Sequence, residues 1–203
     1  VGTGGDTYGG TFVQDGGTVT VGTPANTKRL NVGQSADASG AYILNGGTLT
    51  AAGPGYTGDL NVAENGTGLF EINGGVADFT NEGIKVARTG SGVGTIRING
   101  GELKAGFIGV YSAGSAVEFN GGILRCGAGI GGPGLTNNGG VLAPGTSVGM
   151  AYATDSYDVT SDAAQLEIEI AGAGTDPREY DYLTVYGTGR TMALDGQLRV
   201  KLI

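Results

Sequence analysis

The chain reads Ala41-Tyr42-Ile43-Leu44-Asn45-Gly46-Gly47-Thr48-Leu49-Thr50 near the end of its first quarter. A short apolar run precedes the Asn-Gly-Gly triplet, and a run in which polar and apolar residues alternate follows it. Both runs are typical of β-strands. Asparagine and glycine tolerate the positive φ angles of a tight corner. The segment therefore predicts two strands joined by a corner.

The Asn-Gly-Gly corner recurs along the chain, and its spacing shortens. The other copies are Asp15-Gly16-Gly17, Asn73-Gly74-Gly75, Asn99-Gly100-Gly101, Asn120-Gly121-Gly122 and Asn138-Gly139-Gly140. The interval between first glycines falls from 30 residues (16 to 46) to 18 residues (121 to 139). Self-similarity at this period is typical of stacked repeat architectures. Because the strand-like runs keep their length, the sequence predicts loops that shorten towards the C-terminal side.

A third strand-like run lies between successive corners. It reads Leu30-Asn31-Val32-Gly33, Leu60-Asn61-Val62-Ala63, Ile84-Lys85-Val86-Ala87 and Ile108-Gly109-Val110-Tyr111. Three short strands in one repeat bury too little apolar surface to form a core alone, whereas stacked repeats bury a continuous one. We therefore expect an all-β fold, a parallel β-solenoid (β-helix) with about three short strands per coil.

One residue precedes the glycine pair at every corner, and stacking would align these residues. Asparagine side chains in such a stack hydrogen-bond to their copies above and below. The predicted structural turn ladder consists of Asp15, Asn45, Asn73, Asn99, Asn120 and Asn138. A row of ligand-binding amides is the alternative, but no charged or aromatic residue accompanies the corners at matching positions.

Composition narrows the possible functions. The 203 residues include 44 glycines, one cysteine and no histidine or tryptophan, and the net charge is −8. An acidic chain without a basic stripe is unsuited to nucleic acid or to anionic membrane surfaces. The missing histidines exclude a Ser-His-Asp triad, and a lone cysteine excludes a disulfide within the chain. Cys126 is expected to be a small buried apolar residue. No apolar run is long enough to span a bilayer.

The repeats extend to residue 145, after which the sequence changes character. We expect residues 1–145 to form the parallel β-helix of Asn-Gly-Gly coils and residues 146–203 to form a C-terminal β-rich capping or assembly region. Alternating runs at 164–170, 181–186 and 196–202 predict strands with one wet face. Tyrosines concentrate in this region, where we expect them to fill its core or to contact a ligand. The candidates for ligand contact are Tyr180, Tyr182 and Tyr186.

One run in this part of the chain resembles a known group. The residues Gly139-Gly140-Val141-Leu142-Ala143-Pro144-Gly145-Thr146-Ser147-Val148-Gly149 are similar to the G-x-L-A-P-G-x-S-x-G element of bacterial autotransporter-associated β-strand repeat proteins. Such proteins are common among autotransporter passengers and PEP-CTERM surface proteins. The later runs 166–172, 180–185 and 194–200 resemble the same group in order and spacing. The resemblance implies a secreted or surface-attached β-helix.

Carboxylates are the best candidates for catalysis or metal binding. Glu167 and Glu169 lie two residues apart on a predicted strand, about 6.6 Å apart along it, which is compatible with paired-carboxylate chemistry. The same spacing is typical of an acidic solvated face, which is the interpretation we adopt. The loop Thr175–Asp181 offers carboxylates to a hard cation. We therefore predict no enzyme activity and no cofactor, with Ca²⁺ as the alternative left open.

The expected function is that of an extracellular or cell-surface scaffold protein. The end of a solenoid presents unpaired backbone groups and apolar side chains, so another copy can stack on it and build a filament head to tail. The candidate assembly edge consists of Gln197, Leu198, Val200, Leu202 and Ile203. The expected partners are other copies of the chain, cell-surface or matrix components, or glycans, and not nucleic acid.

Two other functions remain open at this point. The first is an adhesin or carbohydrate-binding module that uses the tyrosines of the C-terminal region. The second is a polysaccharide-active enzyme, because such activities occur on parallel β-helices.

Overall fold

The computed structural model describes residues 9–23, 25, 28–52, 60–132, 134–172, 179–187 and 190–203. These residues form twenty β-strands and contain no helix. Accordingly, the described part of the chain has no helix long and apolar enough to cross a membrane. The fold is all-β, as the sequence predicts.

The strands follow one another in eight repeats, each of which begins with the strand that precedes a corner. Repeat 1 contains β1 (Gly9–Gln14), β2 (Thr18–Val21) and β3 (Leu30–Val32). Repeat 2 contains β4 (Ser39–Leu44), β5 (Thr48–Ala51) and β6 (Leu60–Val62). Repeat 3 contains β7 (Thr67–Ile72) and β8 (Val76–Val86). Repeat 4 contains β9 (Val93–Ile98) and β10 (Glu102–Val110). Repeat 5 contains β11 (Ala116–Phe119) and β12 (Ile123–Gly131). Repeat 6 contains β13 (Leu135–Asn137), β14 (Val141–Pro144) and β15 (Met150–Thr154). Repeats 7 and 8 contain β16 (Tyr157–Val159), β17 (Gln165–Ile170) and β18 (Tyr182–Tyr186); and β19 (Met192–Leu194) and β20 (Gln197–Leu202).

Two parallel sheets contain these strands. The first sheet has the order β1-β4-β7-β9-β11-β13-β16-β19, so each repeat adds one strand to it. The second sheet has twelve strands, with the path β2-β5-β8-β10-β12-β14-β17-β20 and the strands β3, β6, β15 and β18 beside that path. The pairings between these strands are parallel and join consecutive repeats.

Apolar side chains at equivalent positions form columns between the sheets. The second residue of the strand that follows each corner gives one column, in which each member is in register with the next: Val19, Leu49, Ala77, Leu103, Leu124, Leu142, Leu166 and Leu198. In the first sheet, Tyr42, Phe70 and Ile96 stack in the same way and are buried. One apolar cluster contains residues of both sheets. Its burial stabilises the fold by about 25 cal/mol for each Å² of apolar surface removed from water.

The corner between the second and third strand segments shortens along the stack. Residues 22–29 separate β2 from β3, and residues 52–59 separate β5 from β6, whereas β8, β10 and β12 run through this corner as single strands. The register of β10 shifts between Ala105 and Phe107, which marks the bend. The loops thus account for part of the shortening repeat. The prediction that the strands keep their length is wrong for the first sheet, where they fall from six residues in β9 to four in β11 and three in β13. The bounds also show that two predicted strands merge into one in repeats 3 and 4, and that β12 has the same form in repeat 5, where no third strand is predicted.

Strand pairing continues across residue 145 into the predicted C-terminal region. β16 and β19 extend the first sheet, and β17 and β20 extend the second. β15 and β18 continue the third segment. Residues 146–203 therefore complete repeat 6 and add repeats 7 and 8. The division of the chain at this residue stays a prediction.

The second glycine of the corner is constrained by its backbone angle and by the neighbouring repeat. Gly101 has a φ of +68°, and a Cβ at this position would lie 2.6 Å from the carbonyl oxygen of Gly75. Gly17 has nearly the same φ, +70°, but nothing lies within 4 Å of its equivalent Cβ. Stacking therefore demands glycine at position 101, whereas at position 17 only the backbone angle favours it.

We predict that Gly101→Ala destabilises the protein more than Gly17→Ala. Both substitutions cost about 1 kcal/mol because alanine disfavours a positive φ. Gly101→Ala adds about 1–3 kcal/mol of overpacking against Gly75. Urea unfolding followed by circular dichroism measures both losses. Equal losses of unfolding free energy would contradict the tight stacking of the corners.

Candidate functional site

The six corner residues form a continuous ladder of side-chain hydrogen bonds. Asn45 Nδ2 donates to Asp15 Oδ1 at 2.8 Å. Asn73, Asn99, Asn120 and Asn138 each donate in turn to the Oδ1 of the preceding asparagine at 2.9–3.0 Å. The backbone sets the spacing, because ladder N–H groups also bond to the preceding repeat, as Asn45 N–H does to the Gln14 carbonyl at 2.8 Å. The structure thus brings all six predicted ladder residues together.

The ladder has a direction. Each amide N–H donor points towards the lower-numbered repeat, and each amide oxygen accepts from the higher-numbered one. Asp15 is a carboxylate, which accepts hydrogen bonds and donates none when ionised. Thr160 continues the ladder at its other end, because its hydroxyl donates to Asn138 Oδ1 at 2.7 Å. The sequence pattern missed Thr160, which precedes no glycine pair, and its place follows from the register of Val159 with Asn137.

The predicted assembly edge, Gln197, Leu198, Val200, Leu202 and Ile203, lies on and just after β20. This strand pairs with β17 and is exposed along its whole length. Leu198 and Leu202 are 64% and 79% exposed, although they stand in register with Leu166 and Ile170 of β17. The core columns therefore continue into β20, where no described residue covers them.

The opposite end of the stack is also apolar. Phe12 of β1 stands in the column of Tyr42 and is 44% exposed, and the centroids of the two rings lie 4.9 Å apart. Val19 and Val21 of β2 stand in register with Leu49 and Ala51. Both terminal repeats thus present apolar columns on the side that faces away from the stack.

Two buried amides lie in the core near the ends of the stack. The Gln14 side chain accepts the Tyr42 hydroxyl at 2.5 Å and donates to the carbonyl oxygens of its own corner. Asn137 donates to the Tyr157 hydroxyl at 3.1 Å and accepts the Gly140 N–H at 2.8 Å. In each case the amide belongs to one repeat and the tyrosine to the next. Burial raises the pKa of both tyrosine hydroxyls, so they stay protonated donors or acceptors at neutral pH.

The outer face of the second sheet carries a row of paired charges. Arg125 Nε lies 2.8 Å from Glu102 Oε1, and Arg125 Nη2 lies 3.9 Å from Glu167 Oε1. Arg199 and Lys201 of β20 pair with Glu167 at 3.3 Å and Glu169 at 2.6 Å. These ion pairs tie β20 to β17 through the two glutamates that the sequence singled out.

The interpretation of Glu167 and Glu169 as a solvated face is wrong. Each side chain is only 7% exposed. Asp181, also buried, crosses beside them: its Oδ2 accepts the Glu169 N–H at 2.8 Å and its Oδ1 accepts the Gly149 N–H at 2.6 Å. Burial raises the pKa of the Asp181 carboxyl, and the two N–H donors oppose that rise. No local pattern predicts that Asp181 covers the two glutamates, because it lies twelve residues beyond Glu169.

The candidate cation loop lies mostly outside the described residues, which omit 173–178. Within the ranges that are described, no group of three or more His, Cys, Asp or Glu side chains could hold a metal ion. Cys126 is buried, as predicted, and its Sγ donates to the Gly129 carbonyl at 3.2 Å. Burial raises the pKa of its thiol to about 11, so the thiolate is scarce at neutral pH.

The three tyrosines predicted for ligand contact lie in two places. Tyr180 and Tyr182 form one pair, with ring centroids 6.4 Å apart. Tyr186, which is 55% exposed, packs edge-on against Tyr152 at 5.5 Å. Tyr182 and Tyr186 stand at opposite ends of β18, about 13 Å apart along the strand.

A second aromatic surface lies on the outer face of the third strand segment. Phe107 stands in register between Gly83 and Gly129, and an added Cβ at Gly83 would overlap the Phe107 ring. Tyr152 stands in register with Gly129 and covers it in the same way. Together with Tyr111 these rings line a groove of about 320 Å³ that has Gly109 and Gly131 among its other lining residues. We call this surface the aromatic–glycine groove.

Sequence reasoning missed the aromatic–glycine groove. The signal lies in register: glycines and aromatic residues alternate from repeat to repeat at one strand position. Pairing an aromatic ring with a glycine on the adjacent strand is a known way to cover exposed backbone, and here it also leaves ring faces accessible.

Comparisons with family models, with curated proteins and with solved structures found no match to this chain. The resemblance to autotransporter-associated repeat proteins therefore rests on the sequence motif at 139–149 and the runs after it.

We predict that Arg125→Met destabilises the protein more than Arg97→Met. Each arginine bridges two glutamates, and Arg97 Nη1 and Nε lie 3.0 and 2.6 Å from Glu71 and Glu118. Arg125→Met removes a partner from the buried Glu167 and should cost about 2 kcal/mol. Arg97→Met affects the more exposed Glu118 and should cost at most about 1 kcal/mol. Thermal and urea unfolding compare the two variants, and the reverse order would contradict a supporting role for the charge row.

Proposed function

We propose that the two parallel sheets belong to a parallel β-solenoid with about three strand segments per coil. The alternation of consecutive strands between the sheets supports this arrangement, as does the single apolar cluster between them. Every repeat relies on its neighbours for a dry interior, and the first and last repeats each lack one neighbour among the described residues. Residues 146–203 then act as the assembly region of the stack.

We further propose that the protein is an extracellular structural scaffold whose copies stack head to tail. The single observation that carries this proposal is the apolar face of β20, in which Leu198, Val200 and Leu202 extend core columns and are more than half exposed. Apolar faces of this kind on soluble proteins mark sites of association. Secretion and a place at the cell surface, among matrix components, are supported by the resemblance of residues 139–149 to surface-protein repeats.

The two ends of the stack fit each other in register. Continuing the first sheet into a second copy places Met192 of one copy on Phe12 of the next, since both stand in the column of Tyr42 and Tyr157. Continuing the second sheet places Leu198 on Val19 and Val200 on Val21 by the same column. A slot of about 110 Å³, lined by Val159, Leu166, Leu194 and Leu198, remains at this end for apolar groups of the partner.

Such stacking repeats itself without closing. The contact joins unlike ends of two copies, and a heterologous contact of this kind builds open filaments. Each contact adds parallel strand pairs to both sheets and buries the exposed apolar columns.

We predict that Val200→Lys abolishes self-association, whereas Val93→Lys leaves it unchanged. The two valines are 53% and 48% exposed, but Val93 lies on β9 in the middle of the stack. A lysine in the inner column of β20 places a charge in the interface between copies. Sedimentation velocity over a hundredfold range of concentration, with electron microscopy of the concentrated sample, measures the association. Wild-type protein that stays monomeric throughout would overturn the filament proposal.

A second candidate function is carbohydrate binding at the aromatic–glycine groove. Aromatic rings offer flat apolar faces on which the C–H faces of sugars stack, and tyrosine hydroxyls add hydrogen bonds. Tyr111, 51% exposed, supplies such a face beside Phe107 and Tyr152. The lining residues themselves carry no charge, which favours a neutral glycan, and the Lys85 ammonium lies beside the groove, 5.8 Å from the centroid of the Phe107 ring.

We predict that Tyr111→Ala and Tyr152→Ala each weaken glycan binding at least tenfold, a loss in the range of one aromatic contact. A glycan array followed by calorimetry with the best neutral oligosaccharide measures the affinity. Tyr180→Ala is the control, since Tyr180 pairs with Tyr182 away from the groove. Binding that is lost in Tyr180→Ala but kept in Tyr111→Ala would place the site at the other tyrosine pair.

A further inference from the structure

Among the described residues, the first and the last ladder positions are carboxylates, which do not donate when ionised. At the first repeat, Asp15 accepts from Asn45 and has no donor to offer in the other direction. At the last repeat, Asp195 directly follows Leu194, the last residue of β19. Leu194 is in register with Val159, and Val159 is in register with Asn137. Asp195 thus occupies the chain position that Thr160 and Asn138 occupy in repeats 7 and 6. Within the described residues, the column of ladder positions therefore carries a carboxylate at its first and at its last position.

Head-to-tail stacking in register would bring these two carboxylates together. The corner of the second copy's first repeat then lies above the corner of the first copy's last repeat, one strand spacing of about 4.8 Å away. The six steps from Asp15 to Thr160 each pair a donor with an acceptor at 2.7–3.0 Å. The step between copies would instead pair two acceptors of like charge.

We propose that the contact between Asp195 of one copy and Asp15 of the next limits head-to-tail stacking. The apolar columns drive association, and the two carboxylates weaken it. The assembly is therefore reversible, and filaments do not grow without limit. Charges at the edges of sheets have this restraining effect on edge-to-edge association in general. This inference rests on the proposed stacking and specifies how its strength is set.

The described residues that pack on the two corners do not relieve the repulsion. The 45–47 corner that packs on Asp15 contains Asn45 and two glycines and therefore no charge. The 160–164 corner that packs on Asp195 and Gly196 contributes Asp162, a further acid, and Gln197 Nε2 bonds to its carbonyl at 3.1 Å. Arg199 and Lys201 of β20 are engaged by Glu167 and Glu169 on the outer face of the second sheet.

The direction of the ladder makes the two carboxylates unequal, and this inequality provides the test. In Asp15→Asn, the new amide donor points to the lower-numbered side, which in a stack is Asp195 of the neighbouring copy. Repulsion is replaced by a charge-assisted hydrogen bond, and association should strengthen about tenfold. In Asp195→Asn, the new donor points back to Thr160 of its own chain, and its oxygen still faces the acceptor Asp15. Only the repulsion is lost, and association should strengthen about threefold or less.

The experiment measures association constants by sedimentation equilibrium for wild type, Asp15→Asn, Asp195→Asn and Asp37→Asn. The last variant is the control, because it removes the same charge from an exposed position between β3 and β4, away from the ladder. Raising the salt concentration from about 20 mM to about 500 mM screens exposed charges. It should strengthen wild-type association by a larger factor than that of Asp15→Asn, because the repulsion between copies of net charge −8 is screened in every variant and the contact between carboxylates only in the wild type.

The outcomes separate this inference from the proposed function. Strengthening in the order Asp15→Asn, then Asp195→Asn, then Asp37→Asn supports the inference. Association that is present but equal in Asp15→Asn and Asp37→Asn overturns it and leaves stacking intact. An Asp195→Asn variant that associates as strongly as Asp15→Asn also overturns it, because the ladder direction would then be irrelevant. No association in any variant overturns the stacking itself.

Discussion

Backbone hydrogen bonds hold neighbouring parallel strands at one fixed spacing of about 4.8 Å, and the rest of this molecule has to repeat at that interval. At this spacing, the corner asparagines bond side chain to side chain from repeat to repeat at 2.8–3.0 Å. At the same spacing, equivalent apolar residues of the core pack in columns, such as the one from Val19 to Leu198. Where a side chain would exceed the interval, as at Gly101, the position is glycine.

The same spacing constrains the charges on the outer faces. In an in-register stack, equivalent residues lie on top of one another, so like charges at one position would accumulate. At several positions the sign alternates: Glu71, Arg97 and Glu118 follow one another in the first sheet, and Glu167 is followed by Arg199 in the second. Where two cations are in register, as Lys104 and Arg125 are, both pair with Glu102. Exposed pairs of this kind contribute little to stability. Their larger effect is to make parallel stacking of charged strands tolerable.

The sequence contains enough information for the all-β class, the corners and the ladder residues, because these depend on local patterns that recur. It could not supply features that depend on contacts between distant segments. Glu167 and Glu169 have the spacing of a wet strand face, yet Asp181 and the cations of β20 and β12 cover them. The aromatic–glycine groove becomes visible only when Phe107 is placed beside Gly83 and Gly129 by the pairing register. Thr160 joins the ladder for the same reason, since its corner lacks the glycine signal.

The two buried amide–tyrosine contacts have a consequence for how such a chain finds its own order. Because the repeats are similar, a strand could pair with the next repeat but one and still place leucine on leucine. Gln14 bonds to the Tyr42 hydroxyl, and Asn137 to the Tyr157 hydroxyl, only when consecutive repeats are paired. Pairing that omits one repeat would set Gln14 beside Ile72 and Asn137 beside Leu194, where the buried amide has no hydroxyl partner, at a cost of about 1–3 kcal/mol. These polar contacts thus select one order of strand pairing in an otherwise repetitive chain.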